Sequence, residues 1–248
     1  MKKNILVAGC GYWGKNLVRN FSEIGCLKFV ADTNADVLED ISKKFEVEAI
    51  DYDVAIKSNS IDAVVIASPA NLHEEMALKA IENNKDVYIE KPLSLTVESS
   101  IKIIEAAKKN SVKIMVGHLI QYHPVFEELK RQVKDGLIGD ISYLYSNRMS
   151  FGKIRTNEDV IWSFAPHDIS MILSIINKKP NAIRSTMSDV IQNSISDISH
   201  IHLEFDHINA HIFASWLSPF KEHKFVITGN KGSLVFDDTK DWSNKLII

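Results

Sequence analysis

The first half of the chain alternates short apolar runs with segments whose apolar residues recur at helical spacing. Residues 5–8, 27–31 and 61–67 are almost continuously apolar, which predicts buried parallel strands. The segments between such runs predict helices, for example over residues 34–45. Strand and helix alternate as far as residue 116. We therefore expect an α/β domain with a doubly wound parallel sheet over residues 1–119.

The second half of the chain favours an α+β domain over residues 120–248. One helix is predicted from Pro124 to Gly136, and another opens at Ala165, with His167 in its first turn. The predicted strands are 141–149, 182–187, 195–205, 208–217, 223–228 and 233–236. Alternating polar and apolar residues are typical of an antiparallel sheet that has one face on the core.

Composition narrows the class of protein. With 248 residues, 45% of them hydrophobic, the chain can bury a sizeable core in two domains. Acidic and basic residues are interspersed at a net charge of −3, which predicts no nucleic-acid partner. Apolar runs fall short of the roughly 18 residues of a membrane helix, and the N-terminus leads into a strand instead of a signal peptide. We expect a cytoplasmic protein without a membrane partner.

The stretch after the first strand carries the strongest candidate chemistry. Gly9, Gly11 and Gly14 follow the strand and precede a helical pattern, with Tyr12 and Trp13 in the same loop. In a dinucleotide-binding fold such glycines make a tight turn, admit a pyrophosphate and allow close helix packing. The diphosphate would then lie on the amides of the helix N-terminus. Cys10 within this loop is interpreted as a small filler and not as a nucleophile.

An acidic residue ends the second predicted strand. Asp32 lies near the offset of roughly 20 residues at which a carboxylate bonds the adenosine ribose hydroxyls. The Asp32 carboxylate would repel a phosphate on that ribose, as in NADP, and no arginine directly follows Asp32. NAD is therefore favoured over NADP. The alternative is that Asp32 or Asn34 only caps the next helix.

Two further strand ends predict residues that face the cofactor. Ser68, Pro69 and Asn71 follow the strand over 61–67, and Asn71 with Glu74 also forms a predicted capping box. His73 could reach the cleft, although a surface position is the simpler interpretation. Lys91 ends the strand near residue 89, where its ammonium could stabilise a developing alkoxide; alone, it would be interpreted as a surface lysine.

Taken together these pieces resemble the Gfo/Idh/MocA family of oxidoreductases. The matching segments are GCGYWG (9–14), ASPANLH (67–73), VYIEKP (87–92), VGH (116–118) and TGNKG (228–232). The resemblance implies that Lys91 is catalytic and that Glu90 and Pro92 lie beside the nicotinamide. It also implies a second domain with an open, mainly antiparallel sheet that holds the substrate and mediates homo-oligomerisation, as a dimer or tetramer. Family members continue beyond the equivalent of Ile248, so we expect a shortened sheet.

Within the family the chain is most similar to dehydrogenases of UDP-linked N-acetylated amino-sugar acids. The segments GHLIQYHP (117–124), NR (147–148) and DVIWSFAPHDI (159–169) carry this similarity. The predicted substrate-binding residues are Lys91, His118, Gln121, Tyr122, Arg148, Arg155, Asn157, Trp162, His167 and Asp168. Arginine forks suit a carboxylate or diphosphate, although exposed arginines are often only solvated. His167 is the predicted base, and Ser163 stands where the family commonly has its aspartate partner.

Several alternatives remain open at this stage. His200, His202, Glu204 and His211 share a predicted sheet face and could bind zinc, but such a face is normally a solvent or subunit surface, so no metal is predicted. A free polyol or aldose is the rival substrate. A non-catalytic regulator that responds to NAD is the rival of another class.

Overall fold

The computed structural model describes residues 3–152, 154–156 and 158–248. The chain divides into two compact units, Met1–Gly117 and His118–Ile248. Each unit has its own hydrophobic core. Within the described ranges, no helix combines the length and apolar character that a membrane span requires.

The first unit contains a six-stranded parallel sheet of order β3-β2-β1-β4-β5-β6. Its strands are β1 (Ile5–Ala8), β2 (Leu27–Ala31), β3 (Glu48–Ala49), β4 (Ala63–Ile66), β5 (Asp86–Ile89) and β6 (Ile114–Val116). The chain runs outward from β1 to β3 and then returns to β4 beside β1. Such a reversal of strand order makes a crevice at the carboxyl ends of β1 and β4, where open α/β sheets bind ligands.

Helices cover both faces of this sheet. They are α1 (Gly14–Glu23), α2 (Ala35–Phe45), α3 (Tyr52–Ala55), α4 (His73–Glu82) and α5 (Val97–Lys109). Leu17, Val18 and Ile41 of α1 and α2 pack on one face, and Ile81 and Ile103 of α4 and α5 pack on the other. The predicted doubly wound arrangement is confirmed.

The second unit contains a seven-stranded sheet of order β13-β12-β11-β7-β10-β9-β8. Its strands are β7 (Ile141–Phe151), β8 (Ala182–Ser188), β9 (Ile198–Phe205), β10 (Ile208–Ser215), β11 (Leu217–Gly229), β12 (Ser233–Asp237) and β13 (Leu246–Ile247). Neighbouring strands are antiparallel except for β7 and β10, which are parallel. The mainly antiparallel prediction is confirmed.

Two helices, α6 (Pro124–Lys134) and α7 (Val160–Ile176), supply the apolar side chains of this unit's core. Phe126 and Leu129 of α6 and Met171 and Ile172 of α7 are buried in it. The predicted strands 195–205 and 208–217 are joined by a two-residue turn, because Phe205 pairs directly with Ile208 and Asp206 adopts a φ of 42°.

One predicted helix start is wrong in the second unit. The helix expected to open at Ala165 begins at Val160, so Pro166 and His167 lie inside α7. Pro166 suggested the first turn of a helix, because the amide hydrogen that proline lacks has no partner within the helix at that position. The actual cap is Asp159, whose carboxylate accepts a hydrogen bond from the Trp162 amide at 3.0 Å.

The capping box predicted at Asn71 is also wrong. A single 3₁₀ turn, Ala70–Leu72, precedes α4, and neither helix start has a side-chain cap. Glu74 turns away from Asn71 and accepts hydrogen bonds from Ser99 and Lys102 of α5, at 2.5 and 2.9 Å. The prediction failed because the Glu74 carboxylate, which a capping box would use, instead forms the contact between α4 and α5.

Candidate active site

The carboxyl ends of the parallel strands form one row across the first sheet. Ala8 pairs in register with Ala31 and Ile66, and Ile66 pairs with Ile89. The residues that follow these positions therefore lie side by side. They are Gly9, Asp32, Ala67 and Glu90. The register thus brings together the glycine loop, the acidic residue, the Ser68 loop and the lysine loop.

Neighbouring protein atoms account for two of the three loop glycines. Gly9 has a φ of +90°, and a Cβ there would lie 2.6 Å from the backbone of Ala67 and Ser68. A Cβ on Gly14 would lie 1.8 Å from the Gly9 carbonyl oxygen. At Gly11, by contrast, a Cβ would meet no atom of the described residues within 4 Å. The open space at Gly11 fits the close approach of a ligand phosphate.

The N-terminus of α1 is suited to an anion. In α2, the Asn34 side chain accepts from the amides of Asp36 and Val37, and Asp36 adds a negative charge to the first turn. Among the described residues, α1 has neither a side-chain cap nor an acidic residue in its first turn. Its amides and its dipole therefore favour a diphosphate at this end. Tyr12 and Trp13 beside it are exposed to 96% and 41%.

Asp32 holds the glycine loop in place. One carboxylate oxygen accepts from the Cys10 amide at 2.6 Å, and the other accepts from the Asn34 amide at 2.9 Å. Asn34, and not Asp32, caps α2. A carboxylate has about four acceptor positions, so Asp32 retains capacity for ribose hydroxyls. Burial raises the pKa of the Cys10 thiol to about 12, with the Asp32 charge as a smaller cause, so this cysteine is no nucleophile near neutral pH.

The segment that carries Lys91 has a buried carboxylate before it. Glu90 is only 8% exposed and accepts a hydrogen bond from the Tyr88 hydroxyl at 2.9 Å. Gly117 makes room for this pair, because a Cβ there would lie 2.6 Å from the Tyr88 oxygen and 2.8 Å from Glu90. Lys91 follows Glu90 directly, two residues after β5 ends at Ile89 on the same sheet edge as the glycine loop.

His73 does not lie on the surface as the simpler interpretation held. It is 1% exposed, with Nδ1 2.7 Å from the Pro92 carbonyl oxygen and Nε2 2.9 Å from the Ser68 carbonyl oxygen. Its ring therefore joins two loops at the sheet edge. Pro69 and Asn71, in contrast, are exposed.

A buried ion pair joins α7 to β7 in the second unit. The Arg148 Nε donates to Asp168 Oδ2 at 2.6 Å and Nη2 donates to Oδ1 at 3.1 Å, while the Ser146 hydroxyl donates to Oδ1 at 2.5 Å. Asp168 is completely buried and Arg148 is 7% exposed. Both were predicted to bind substrate; the structure gives each an internal partner, and their substrate contact stays a prediction.

The other predicted substrate residues of this unit fall into two groups. Gln121 donates to Ser170 at 3.3 Å, and Ser170 donates to the His167 carbonyl at 2.8 Å, so Gln121 lies beside the turn of α7 that carries His167. His118 precedes a 3₁₀ turn, Leu119–Tyr122. The second group consists of exposed side chains: Tyr122 (60%), Trp162 (38%) and Arg155 (43%). Asn157 lies outside the described residues.

The histidines of the second sheet form a small surface cluster. His202 pairs with His211 across β9 and β10, with ring nitrogens 3.2 Å apart, and His202 Nε2 is 3.4 Å from Glu204. Glu204 also pairs with Arg184 of the edge strand β8. In the part of the chain that the structure describes, no group of three or more histidine, cysteine or acidic residues is arranged to hold a metal ion.

Some contacts of the site escaped sequence reasoning. Strand alternation places Ser146 and Arg148 on the same buried face as Leu144, and this signal could have identified Arg148 as an inward arginine. No comparable signal identifies the carbonyl partners of His73, because they depend on two loops separated by 24 residues, 68 to 92.

The comparisons with known proteins agree with this geometry. Residues 3–118 match the description of an oxidoreductase family with an NAD-binding Rossmann fold, and residues 126–235 match the GFO/IDH/MocA C-terminal domain. The chain therefore belongs to the Gfo/Idh/MocA oxidoreductase family. This membership confirms the predicted fold, the predicted enzyme class and NAD as the predicted cofactor.

Similar curated proteins differ in what they act on. An uncharacterised oxidoreductase of Streptococcus pneumoniae is 25% identical over 93% of this chain and 67% of its own length. The 2,7-anhydro-N-acetylneuraminate hydratase of Escherichia coli is 24% identical over 94% of this chain and 67% of its length. The UDP-N-acetylglucosamine 3-dehydrogenase of Acidithiobacillus ferrooxidans is 26% identical over 72% of this chain and 56% of its own length. The scyllo-inositol 2-dehydrogenase (NAD⁺) of Bacillus subtilis is 32% identical over 53% of this chain and 39% of its own length. The chain spans about two thirds, or less, of the length of these relatives.

Solved structures give the same fold. A protein from Magnetospirillum magnetotacticum superposes with a TM-score of 0.89 at 27% identity, covering 99% of this chain and 80% of that chain. The scyllo-inositol dehydrogenase of Lactobacillus casei, solved with NAD(H) and scyllo-inositol, has a TM-score of 0.87 at 20% identity, covering 100% and 82%.

Proposed function

We propose that the protein is an NAD-dependent dehydrogenase that oxidises a ring hydroxyl of a UDP-linked N-acetylated amino-sugar acid. One observation carries the oxidoreductase part: the in-register ends of β1, β2, β4 and β5 place Lys91 at the same sheet edge as the glycine loop and Asp32. A cation at the end of a strand in a dinucleotide crevice is suited to a substrate oxygen that becomes an alkoxide.

The cofactor's role is limited to the redox step. Bound NAD supplies the nicotinamide that accepts a hydride. The protein's own contribution at this edge is to hold the diphosphate on the α1 amides, the ribose on Asp32 and the reacting oxygen on the Lys91 ammonium. Asp32 is held by its hydrogen bond from the Cys10 amide, and Glu90, the residue before Lys91, is held by the Tyr88 hydroxyl.

His167 is the proposed general base toward the sugar hydroxyl, because an imidazole can accept a proton near neutral pH. Its place inside α7 gives it a rigid backbone. Asp168, the adjacent carboxylate, accepts hydrogen bonds from Arg148 and Ser146 of β7 on both of its oxygens. With Ser163 in place of the family's aspartate, the base acts without a carboxylate one turn earlier in its helix.

The names of two relatives support an amino-sugar substrate. The A. ferrooxidans enzyme is named for UDP-N-acetylglucosamine and the E. coli enzyme for an N-acetylneuraminate derivative, so both are associated with N-acetylated sugars. Arg155 is half-exposed and pairs with Glu158 only at 3.7 Å, which leaves its guanidinium able to contact an anionic group.

A free polyol is the second candidate, and the ion pair of Arg148 favours it. Because Asp168 takes that guanidinium, the site has one cation fewer for a diphosphate or uronate than the sequence suggests. The B. subtilis relative is named for scyllo-inositol.

A substrate panel tests the proposal. Purified full-length protein is incubated with NAD and, separately, UDP-N-acetylglucosamine, its uronate, scyllo-inositol, myo-inositol and glucose, while the absorbance of reduced nicotinamide is followed. We expect turnover with the UDP-linked sugars, and the highest kcat/KM for the uronate. Higher kcat/KM for an inositol would replace the proposal with the polyol candidate. Binding of NAD without turnover of any compound would contradict both.

A further inference from the structure

One buried side chain joins the two loops that follow β4 and β5. The His73 ring lies between the carbonyl oxygens of Ser68 and Pro92, at 2.9 and 2.7 Å. In either neutral tautomer one ring nitrogen can donate to a carbonyl oxygen, and the other nitrogen lies against the second carbonyl. The geometry therefore points to one buried side chain that bridges these two loops.

The anchor behind this ring is rigid. His73 is the first residue of α4, and the same helix buries Ala77, Ala80 and Ile81 against the sheet. Its side chain does not cap its own helix, because both of its acceptors lie outside α4. Helix capping therefore does not account for this histidine, whereas attachment of the two loops does.

Both carbonyl oxygens that contact His73 belong to residues next to the candidate site. Pro92 directly follows Lys91, and Ser68 follows Ala67, whose backbone lies against Gly9 of the glycine loop. Movement at either carbonyl would shift the backbone that carries the lysine or the backbone that supports the glycine turn. A fully buried ring in contact with both carbonyls is well suited to fixing both backbones.

We propose that His73 is a positioning residue: its buried ring sets the Ser68 and Pro92 loops, and it does not itself contact NAD. This replaces direct cofactor binding as the role of His73, and its link to turnover rests on the proposed function of Lys91. Preorganised loops bind a ligand without an ordering cost, so the consequence is measurable in cofactor affinity as well as in catalysis.

Two variants separate the hydrogen bonds from the packing. His73→Phe keeps a planar ring without donors, and His73→Gln keeps one donor. Ile81→Val is the matched control, because it removes a buried methyl group near the other end of the same helix. NAD affinity is measured by calorimetry, and amide hydrogen exchange is followed for peptides covering residues 67–70 and 91–94.

We expect His73→Phe to weaken NAD binding about tenfold and to speed exchange in both loops, with a smaller effect for His73→Gln. The control should bind NAD within about twofold of the original protein. For any sugar that the original protein oxidises, kcat should fall while the KM for the sugar stays unchanged.

NAD affinity and loop exchange equal to those of the control would overturn this inference, in His73→Phe or, if that variant does not fold, in His73→Gln. Failure of the substrate panel would remove only the kinetic part, because NAD affinity and exchange do not require turnover.

Discussion

The two units assemble their polar groups in different ways. In the first unit, Gly9, Asp32 and Glu90 directly follow strands whose ends are in register, so a parallel sheet alone brings them together. In the second unit, Arg148 and Asp168 meet only because α7 packs on β7. Topology therefore determines the first arrangement, whereas side-chain packing determines the second.

The arrangements also differ in how charge is compensated. The edge of the first sheet presents helix amides and a glycine gap to a ligand. The second unit encloses a complete ion pair, with Ser146 donating to the same carboxylate. Removing a group should therefore cost binding or turnover in the first unit and folding stability in the second.

The largest expected effect is on the stability of the second unit. Asp168→Ala leaves the Arg148 guanidinium buried without its carboxylate, and removing one partner of a buried pair costs about 3–5 kcal/mol of unfolding free energy. Urea unfolding followed by circular dichroism measures this loss. The double variant Arg148→Met with Asp168→Leu should recover most of it, since apolar residues of similar size often replace such pairs without loss. Equal instability of both variants would show that the charge is not the cause.

A change at Lys91 should act on turnover alone. Lys91→Met removes the cation proposed to stabilise the alkoxide, and loss of one such donor lowers kcat by about 10²–10³-fold. NAD affinity, measured by calorimetry, should stay within about twofold, because the diphosphate and ribose contacts remain. The exposed Lys113, at the start of β6, provides the control, and Lys113→Met should keep full turnover. Equal turnover in Lys91→Met and Lys113→Met would show that the Lys91 ammonium does not stabilise the alkoxide.

The glycines of the first unit divide into those the fold requires and one that the ligand requires. Gly11→Ala places its Cβ in open space, so we expect unchanged unfolding free energy but NAD affinity lower by about tenfold, or 1.4 kcal/mol. Gly14→Ala drives its Cβ into the Gly9 carbonyl and should cost about 1–3 kcal/mol of stability, the usual cost of overpacking. Thermal unfolding and calorimetry of both variants test the division. Unchanged NAD affinity in Gly11→Ala would show that the cofactor phosphate does not lie in the open space beside Gly11.

The same contrast explains how far the sequence could be interpreted. Strand ends, glycines and Asp32 follow from local patterns, so the fold of the first unit and its cofactor were predictable. Pro166 misplaced the start of α7, because proline is tolerated there inside a helix that Asp159 caps. The surface interpretation of His73 was wrong, and the partner of Arg148 was not predicted, for another reason: their partners come from other segments, and a single sequence contains no record of those contacts.

The smallest expected effect is a pH dependence of stability in the second unit. Burial, helped by the nearby positive charges of Arg148 and Lys221, lowers the pKa of His223 to about 4. The unfolded chain binds a proton near the ordinary histidine pKa of about 6.5, so the folded state holds fewer protons between these values. Stability from the neutral ring is therefore complete above about pH 6.5 and is lost as the pH falls towards 4. The ring is only partly buried, so solvent reduces the size of this loss.

His223→Phe should flatten this part of the pH profile, because phenylalanine fills a similar volume and does not titrate. Urea unfolding between pH 4 and 7 provides the measurement, with the variant compared with the unaltered protein at each pH. Exposed histidines contribute little there, so His207→Phe, at the tip of the β9–β10 turn, should retain the original slope. If His207→Phe flattened the profile and His223→Phe did not, the buried cluster around Arg148 would not be the origin of the acid sensitivity, and the contrast between the two units would rest on the ion pair alone.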